Sequence, residues 1–194
     1  LTANNVLGVE LVLMNGDVMR LGGKHLDAEG YDLLGILTGS EGLLGIITEV
    51  TVRILKSPET ARALLIGFPT IEAAGECVGS VINAGIIPGG MEMMDRYAIE
   101  AAEAFCHAGY PLDVEALLIV ELDGPEVEVD YLIAEVERMA TECGAVNVRA
   151  STSEEERMTF WAGRKAAFPA VGRLSPDYYC MDGTIPRYQL PVVL

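Results

Sequence analysis

The sequence predicts an α+β protein in two parts. Residues 1–57 read as a β-rich segment, and residues 58–194 as a ferredoxin-like layer of helices on a mostly antiparallel sheet. Three observations predict this. Apolar residues alternate in the N-terminal part, as they do along strands with one buried face. From Ala63 onward, short apolar runs alternate with longer segments of helical period, the β-α-β order of a split βαβ layer. Between the two patterns lies Lys56-Ser57-Pro58, where proline breaks any ladder, so the boundary is placed near Ser57.

The elements follow in order. Val9–Met14 and Asp17–Leu21 alternate on either side of Asn15-Gly16, which predicts a hairpin with a type I′ turn. Gly22-Gly23-Lys24 is a turn, residues 24–32 are polar, and Tyr31–Leu37 is expected to make a short helical turn. A glycine loop follows, and Ile46–Leu55 is a strand leaving it. Ala63–Phe68 is a short apolar strand. Thr70 is the expected N-cap of a helix that ends at Gly85. A strand reaches Met94 after the Pro88-Gly89-Gly90 break, and Asp95 opens a helix through Phe105. Ala116–Leu122 reads as a central strand ended by Asp123-Gly124-Pro125. Glu126–Glu142 is amphipathic, with Val129, Leu132, Ile133, Val136 and Met139 on one face. Val146–Arg149 is an edge strand. Ser151-Thr152-Ser153-Glu154 opens a further helix with a capping box. After a break at Leu174–Asp177, Tyr178–Pro186 reads as a strand into a turn, and Arg187–Leu190 starts another helix.

Composition narrows the function. The chain has 194 residues, 51% of them apolar, enough for a real core. Its net charge of −16 argues against nucleic acid and anionic membrane surfaces. No apolar run approaches the roughly 20 residues of a membrane span, and no signal peptide is evident, so a cytoplasmic protein is expected. Cys77, Cys106, Cys143 and Cys180 are scattered without a C-x-x-C pair and read as idle thiols. His25 and His107 give no metal-ligand spacing. The chain begins without methionine and is expected to be an internal piece of a longer protein.

The stretch most charged with chemistry is Thr38-Gly39-Ser40-Glu41-Gly42, continuing through Gly45-Ile46-Ile47. Three glycines spaced by three expose bare backbone, and free amides there can cradle an anion. The stretch is neither G-x-G-x-x-G between a strand and a helix nor a P-loop ending in Gly-Lys-Ser/Thr. On spacing alone, a turn that only serves packing is equally consistent.

The run from Tyr31-Asp32-Leu33 through Gly-Ser-Glu-Gly-x-x-Gly-Ile-Ile-Thr-Glu resembles the second FAD-binding subdomain of the vanillyl-alcohol-oxidase type flavoproteins. Within that superfamily it is most similar to the glycolate oxidase flavoprotein (D) subunit and D-lactate dehydrogenase type. Thr2–Gly8 and Tyr179–Arg187 are similar to family segments near either end. The resemblance implies that residues 1–57 are the C-terminal part of an FAD-binding domain and residues 58–194 a truncated cap, the FAD-linked oxidase C-terminal domain. It implies FAD as cofactor, bound through Thr38, Gly39, Ser40, Glu41, Gly42, Gly45, Ile46 and Ile47. The implied reaction is oxidation of glycolate or D-lactate to the 2-oxo acid, with electrons passed to an iron–sulphur partner subunit.

The resemblance also implies site residues. Arg164, in Trp161-Ala162-Gly163-Arg164, matches the position that holds the substrate carboxylate, a task suited to a planar guanidinium. Asp182 and Thr184, in Asp182-Gly183-Thr184-Ile185-Pro186-Arg187, match a segment lining the active site. Several relatives carry lysine where this chain has Cys180, which leans toward a monocarboxylate rather than a D-2-hydroxyglutarate-type substrate. The family's histidine-rich metal segment and base would lie beyond the chain's end, so no metal ligand is expected here, and the isolated chain is expected to be inactive. Peripheral attachment to the inner membrane through partner subunits, and a second flavoprotein-like subunit, are compatible with this reading. Unpaired strand edges predict self-association into homo-oligomers. The rival class is a noncatalytic ferredoxin-like interaction module with a purely structural glycine loop.

Overall fold

The computed structural model describes residues 2–26 and 30–193. Of the polar stretch expected over residues 24–32, residues 27–29 lie outside the described residues. The chain divides into two compact units, Leu1–Ser57 and Pro58–Leu194.

The first unit is a three-stranded antiparallel sheet. After a 3-10 turn at Thr2–Asn5 come β1 (Val6–Val12), β2 (Val18–Gly22) and, after helix α1 (Leu33–Leu37), β3 (Ile46–Val52). The order is β2-β1-β3, so β1 is central. Val9, Leu11 and Leu37 form its small core. The β1–β2 connection is not the expected type I′ turn, which needs φ > 0 at both central residues. Gly16 has a φ of 88°, whereas Asn15 is not among the positive-φ residues. Leu13 pairs with Asp17 and also accepts from Gly16 N at 2.9 Å. The loop is therefore of the three-residue kind, a turn followed by glycine in the left-handed region. Asn15 is held there by local hydrogen bonding: its Oδ1 accepts from Asp17 N at 3.1 Å, the usual role of asparagine in turns.

The second unit is a four-stranded antiparallel sheet in the order β5-β6-β4-β7. Its elements are β4 (Thr60–Phe68), α2 (Ile71–Asn83), β5 (Gly90–Asp95), α3 (Arg96–Cys106), β6 (Ala116–Gly124), α4 (Glu126–Glu142), β7 (Asn147–Ala150) and α5 (Glu154–Leu174). A 3-10 turn (Arg187–Gln189) and α6 (Leu190–Val193) follow. Strands β4 and β5 run parallel with β6 between them, the split βαβ the sequence predicts.

Helices cover both faces of this sheet. Alternate residues of β4 explain why: Leu64, Ile66 and Phe68 join Val78 and Val81 of α2 and Val129, Ile133 and Val136 of α4 in one core. Ala63 and Leu65 join Ile99 of α3 and Phe160 of α5 in the other. A strand buried on two faces reads as a continuous apolar run, as this one does.

Capping is local and specific. Asp95 Oδ1 accepts from Ala98 N at 2.8 Å to start α3, and Thr70 does the same for α2 through Ala73 N. At α5 the cap is Ser153, two residues later than the Ser151-to-Glu154 box expected from sequence; it accepts from Glu156 N. Ser151 is instead buried, its Oγ accepting from Ala63 N at 3.0 Å where β7 leaves β4.

Candidate functional site

The glycine loop lies in the first unit. Asp32 caps α1 by accepting from Gly35 N at 2.9 Å, and Thr38 closes the helix by donating its hydroxyl to Leu34 O at 2.8 Å. Beyond it the backbone turns through a run of left-handed residues: Gly39 at 86°, Glu41 at 52° and Gly42 at 80°. Ser40 N donates to Leu37 O and Leu43 N to Ser40 O. The amides of Gly39, Glu41 and Gly42 make no hydrogen bond among the described residues. A glutamate held in the left-handed region is a local cost that functional loops often carry.

The three glycines are not equivalent. A Cβ on Gly39 would meet nothing within 4 Å, and one on Gly42 only Ile46 Cδ1 at 3.9 Å. One on Gly45 would lie 2.8 Å from Val12 O and 3.1 Å from Leu11 Cδ1. Gly39 and Gly42 thus keep open, bare backbone with free amides, the arrangement suited to a pyrophosphate. Gly45 lets β3 close onto β1. Ile46 and Ile47 follow on that edge strand, 64% and 40% exposed. A separate cavity of about 430 Å³ in this unit is lined by Ala3, Asn4, Leu7, Tyr31 and Leu34 and by none of the loop glycines.

Arg164 lies in the second unit, on α5. Helical spacing aligns Arg157, Trp161, Arg164 and Phe168 in one stripe. The stripe meets two strand carboxylates. Glu121 of β6 accepts from Trp161 Nε1 at 2.6 Å and from Arg157 Nη1 at 2.5 Å, both through Oε2. Glu92 of β5 accepts from Arg164 Nε at 3.3 Å, and the same Oε2 lies 3.2 Å from Arg164 Nη2 as an ion pair. The Trp161 ring is seated on Gly90, where a Cβ would meet it at 3.0 Å.

The backbone under Arg164 is fixed by a buried tyrosine. The Tyr110 hydroxyl donates to Phe160 O, the carbonyl one helical turn before Arg164. Burial holds the phenol well above its usual pKa, so it stays protonated. Gly163 admits the ring: a Cβ there would lie 2.7 Å from Tyr110 Cε2, and closer to Cζ and the hydroxyl.

Asp182 and Thr184 are exposed, in an irregular stretch before the 187–189 turn. No hydrogen bond or ion pair joins either to Arg164 among the described residues. Arg187 lies on the α2 side of the sheet, lining a cavity of about 500 Å³ with Val78, Ile82, Met91 and Leu190. Tyr178, Tyr179 and Cys180 line, with Phe168 and Val171, an open surface hollow of about 220 Å³. No group of three metal-ligating side chains occurs among the described residues, and no helix of those residues is long and apolar enough to cross a membrane. Glu92, Glu121, Arg157 and Tyr110 escaped the sequence reading, although Glu92 and Glu121 interrupt apolar strand runs.

Residues 57–194 match the family of FAD linked oxidases, C-terminal domain. The chain belongs to this family. Over all 194 residues it is 55% identical to the glycolate oxidase subunit GlcD of Escherichia coli K12. It is 37% identical over 190 residues to GlcD of Bacillus subtilis, and 29% identical over 196 residues to a probable mitochondrial D-lactate dehydrogenase of Danio rerio. The chain spans about two fifths of these relatives: 39%, 40% and 39% of their lengths. Among solved structures, an alkyldihydroxyacetonephosphate synthase superposes with a TM-score of 0.66 at 20% identity, over 89% of this chain and 35% of that one. A 4-ethylphenol oxidase from Gulosibacter chungangensis gives 0.67 at 15% identity, over 89% and 41%. These likenesses show the fold: the mixed α+β architecture expected from sequence is that of the FAD-linked oxidases.

Proposed function

We propose that this chain forms the end of an FAD-binding domain (1–57) and the cap (58–194) of an FAD-dependent oxidoreductase. The enzyme oxidises a small 2-hydroxy acid, glycolate or D-lactate, to the 2-oxo acid. The observation that carries the reading is the 55% identity to a glycolate oxidase subunit over the whole chain. The open Gly39–Gly42 backbone and the partly exposed Arg164 agree with it.

In this reading the flavin, when bound, supplies the hydride acceptor. The chain's own residues bind and orient. The free amides of Gly39, Glu41 and Gly42 would hold the cofactor's phosphates, with Thr38 and Ser40 beside them. Gly45, Ile46 and Ile47 would support it from the strand end. Arg164 holds the substrate carboxylate, and Asp182 and Thr184 belong to the segment that borders the site. Electrons pass to an iron–sulphur partner subunit of a cytoplasmic assembly attached peripherally to the inner membrane.

The test is a visible spectrum of the intact protein. Retained flavin that is bleached anaerobically by glycolate or D-lactate supports the reading; a protein that holds no flavin refutes it. Arg164→Met should then raise KM by about 10- to 100-fold, since a charge-assisted hydrogen bond contributes roughly 1.5–3 kcal/mol.

A further inference from the structure

We infer that Glu92 is the positioning residue for Arg164, fixing which edge of the guanidinium is presented to a substrate carboxylate. The inference rests on the reading of Arg164 given above. It begins from a carboxylate set in an apolar strand. β5 reads Gly-Met-Glu-Met-Met-Asp, and Glu92 pairs with Ile119 of β6 on the face that α5 covers. Its neighbours on that face, Met94, Leu117 and Ile119, are core residues. Glu121, the neighbouring carboxylate on this face, already has Arg157 and Trp161. Glu92 has Arg164 alone among the described residues.

The contact geometry is what an orienting residue requires. Arg164 Nε and Nη2 both reach Oε2 of Glu92. Of the five guanidinium N–H groups, the one on Nε is hydrogen-bonded to Glu92 and Nη2 stands at ion-pair distance, so the Nε/Nη2 edge faces the carboxylate. The edge between Nη1 and Nη2 is left for a carboxylate, which it can grip through two parallel hydrogen bonds. Contacts of 3.2 and 3.3 Å are longer than a tight charge-assisted bond, so the pair directs the guanidinium without saturating it. Tyr110, bonded to Phe160 O and seated on Gly163, fixes the helix backbone beside Arg164. The remaining freedom lies in the side-chain torsions, and Glu92 removes it.

An aligned cation serves ground state and transition state alike, so losing the alignment should appear in KM and not in kcat. The experiment uses the intact, flavin-loaded protein and compares wild type, Glu92→Ala, Glu92→Gln, Glu92→Asp and Arg164→Met. The substrate is glycolate or D-lactate, and propionate serves as a non-oxidisable competitor. Glu92→Ala should raise both KM and the propionate inhibition constant about tenfold with kcat within about twofold. Glu92→Asp should recover part of the loss. Glu92→Gln keeps the volume and an acceptor oxygen; a several-fold rise there carries the test if the alanine variant does not fold. Unchanged KM and inhibition constant in the Glu92 variants, with both raised in Arg164→Met, overturn the positioning role and leave the function standing. A Glu92 effect confined to kcat and thermal stability overturns it as well. If Arg164→Met leaves KM unchanged, the reading of Arg164 falls, and the role of Glu92 with it.

Discussion

Replacing Gly163 by alanine should destabilise the C-terminal unit by about 2–4 kcal/mol, although alanine is normally the better helix residue. The new methyl group would lie 2.7 Å from Tyr110 Cε2 and closer to Cζ and the hydroxyl. The ring has no room to retreat, because Tyr110 is 4% exposed and packed in the α3/α5 core. Forcing a methyl group into such a site costs about 1–3 kcal/mol. If the ring moves, its buried hydroxyl leaves Phe160 O, a loss of about 1–3 kcal/mol for the unsatisfied group. The two costs come to about 2–6 kcal/mol, less about 1 kcal/mol for alanine's helix preference; the central 2–4 kcal/mol corresponds, for a unit of this size, to a fall in Tm of about 6–12 °C by calorimetry. The decisive control is the same change in a Tyr110→Ala background. With the ring gone, Gly163→Ala should stabilise by about 0.5–1 kcal/mol, as alanine does in an ordinary helix. A stabilising Gly163→Ala in the presence of Tyr110 would refute the wedge.

Two further outcomes follow from the same kind of geometry. Burial pushes the Cys77 thiol up to about 12, with Cys143 adding to the shift. At pH 8 iodoacetamide should therefore label exposed Cys180 and spare Cys77, as read by mass spectrometry; comparable labelling of both would contradict it. The raised value makes this contribution to stability complete below pH 9, and it declines as pH rises toward 12. In the glycine loop, Gly45→Ala should be the damaging change, since it adds a clash with Val12 O to an unfavourable backbone angle. Gly39→Ala meets open space and should cost only the left-handed penalty of about 1–2 kcal/mol, a difference visible in urea denaturation.

Much of the secondary structure was legible because periodicity reports which side of an element is buried, and that is a local property. The stripe Val129, Ile133, Val136 and Met139 and the apolar run of β6 could only pack inward, and α4 spans Glu126–Glu142 as expected. Caps were legible where one side chain decides them, as at Thr70 and Asp95. They failed where several hydroxyls compete: at α5, Ser151 is withdrawn into the sheet and Ser153 takes the cap. Asn15-Gly16 likewise marked a turn, while an asparagine side-chain hydrogen bond selected a different one.

The candidate site divides in the same way. Family resemblance singled out Arg164, through its Trp-x-x-Arg context, and gave the glycine loop a role that its spacing alone left open. Only the tertiary structure separates Gly39 and Gly42, with open backbone, from Gly45, which packs on β1. Only sheet order brings Glu92 of β5 to Arg164 of α5, 72 residues apart in the chain. No local pattern encodes that meeting, because it depends on β5 lying at the sheet edge beside β6 with α5 across that face. The sequence by itself determined the family and most of the elements, though Tyr178–Pro186, expected as a strand into a turn, is irregular backbone. Partners that meet across the sheet were decided by the fold, because one-sided burial specifies a face and not what lies opposite it.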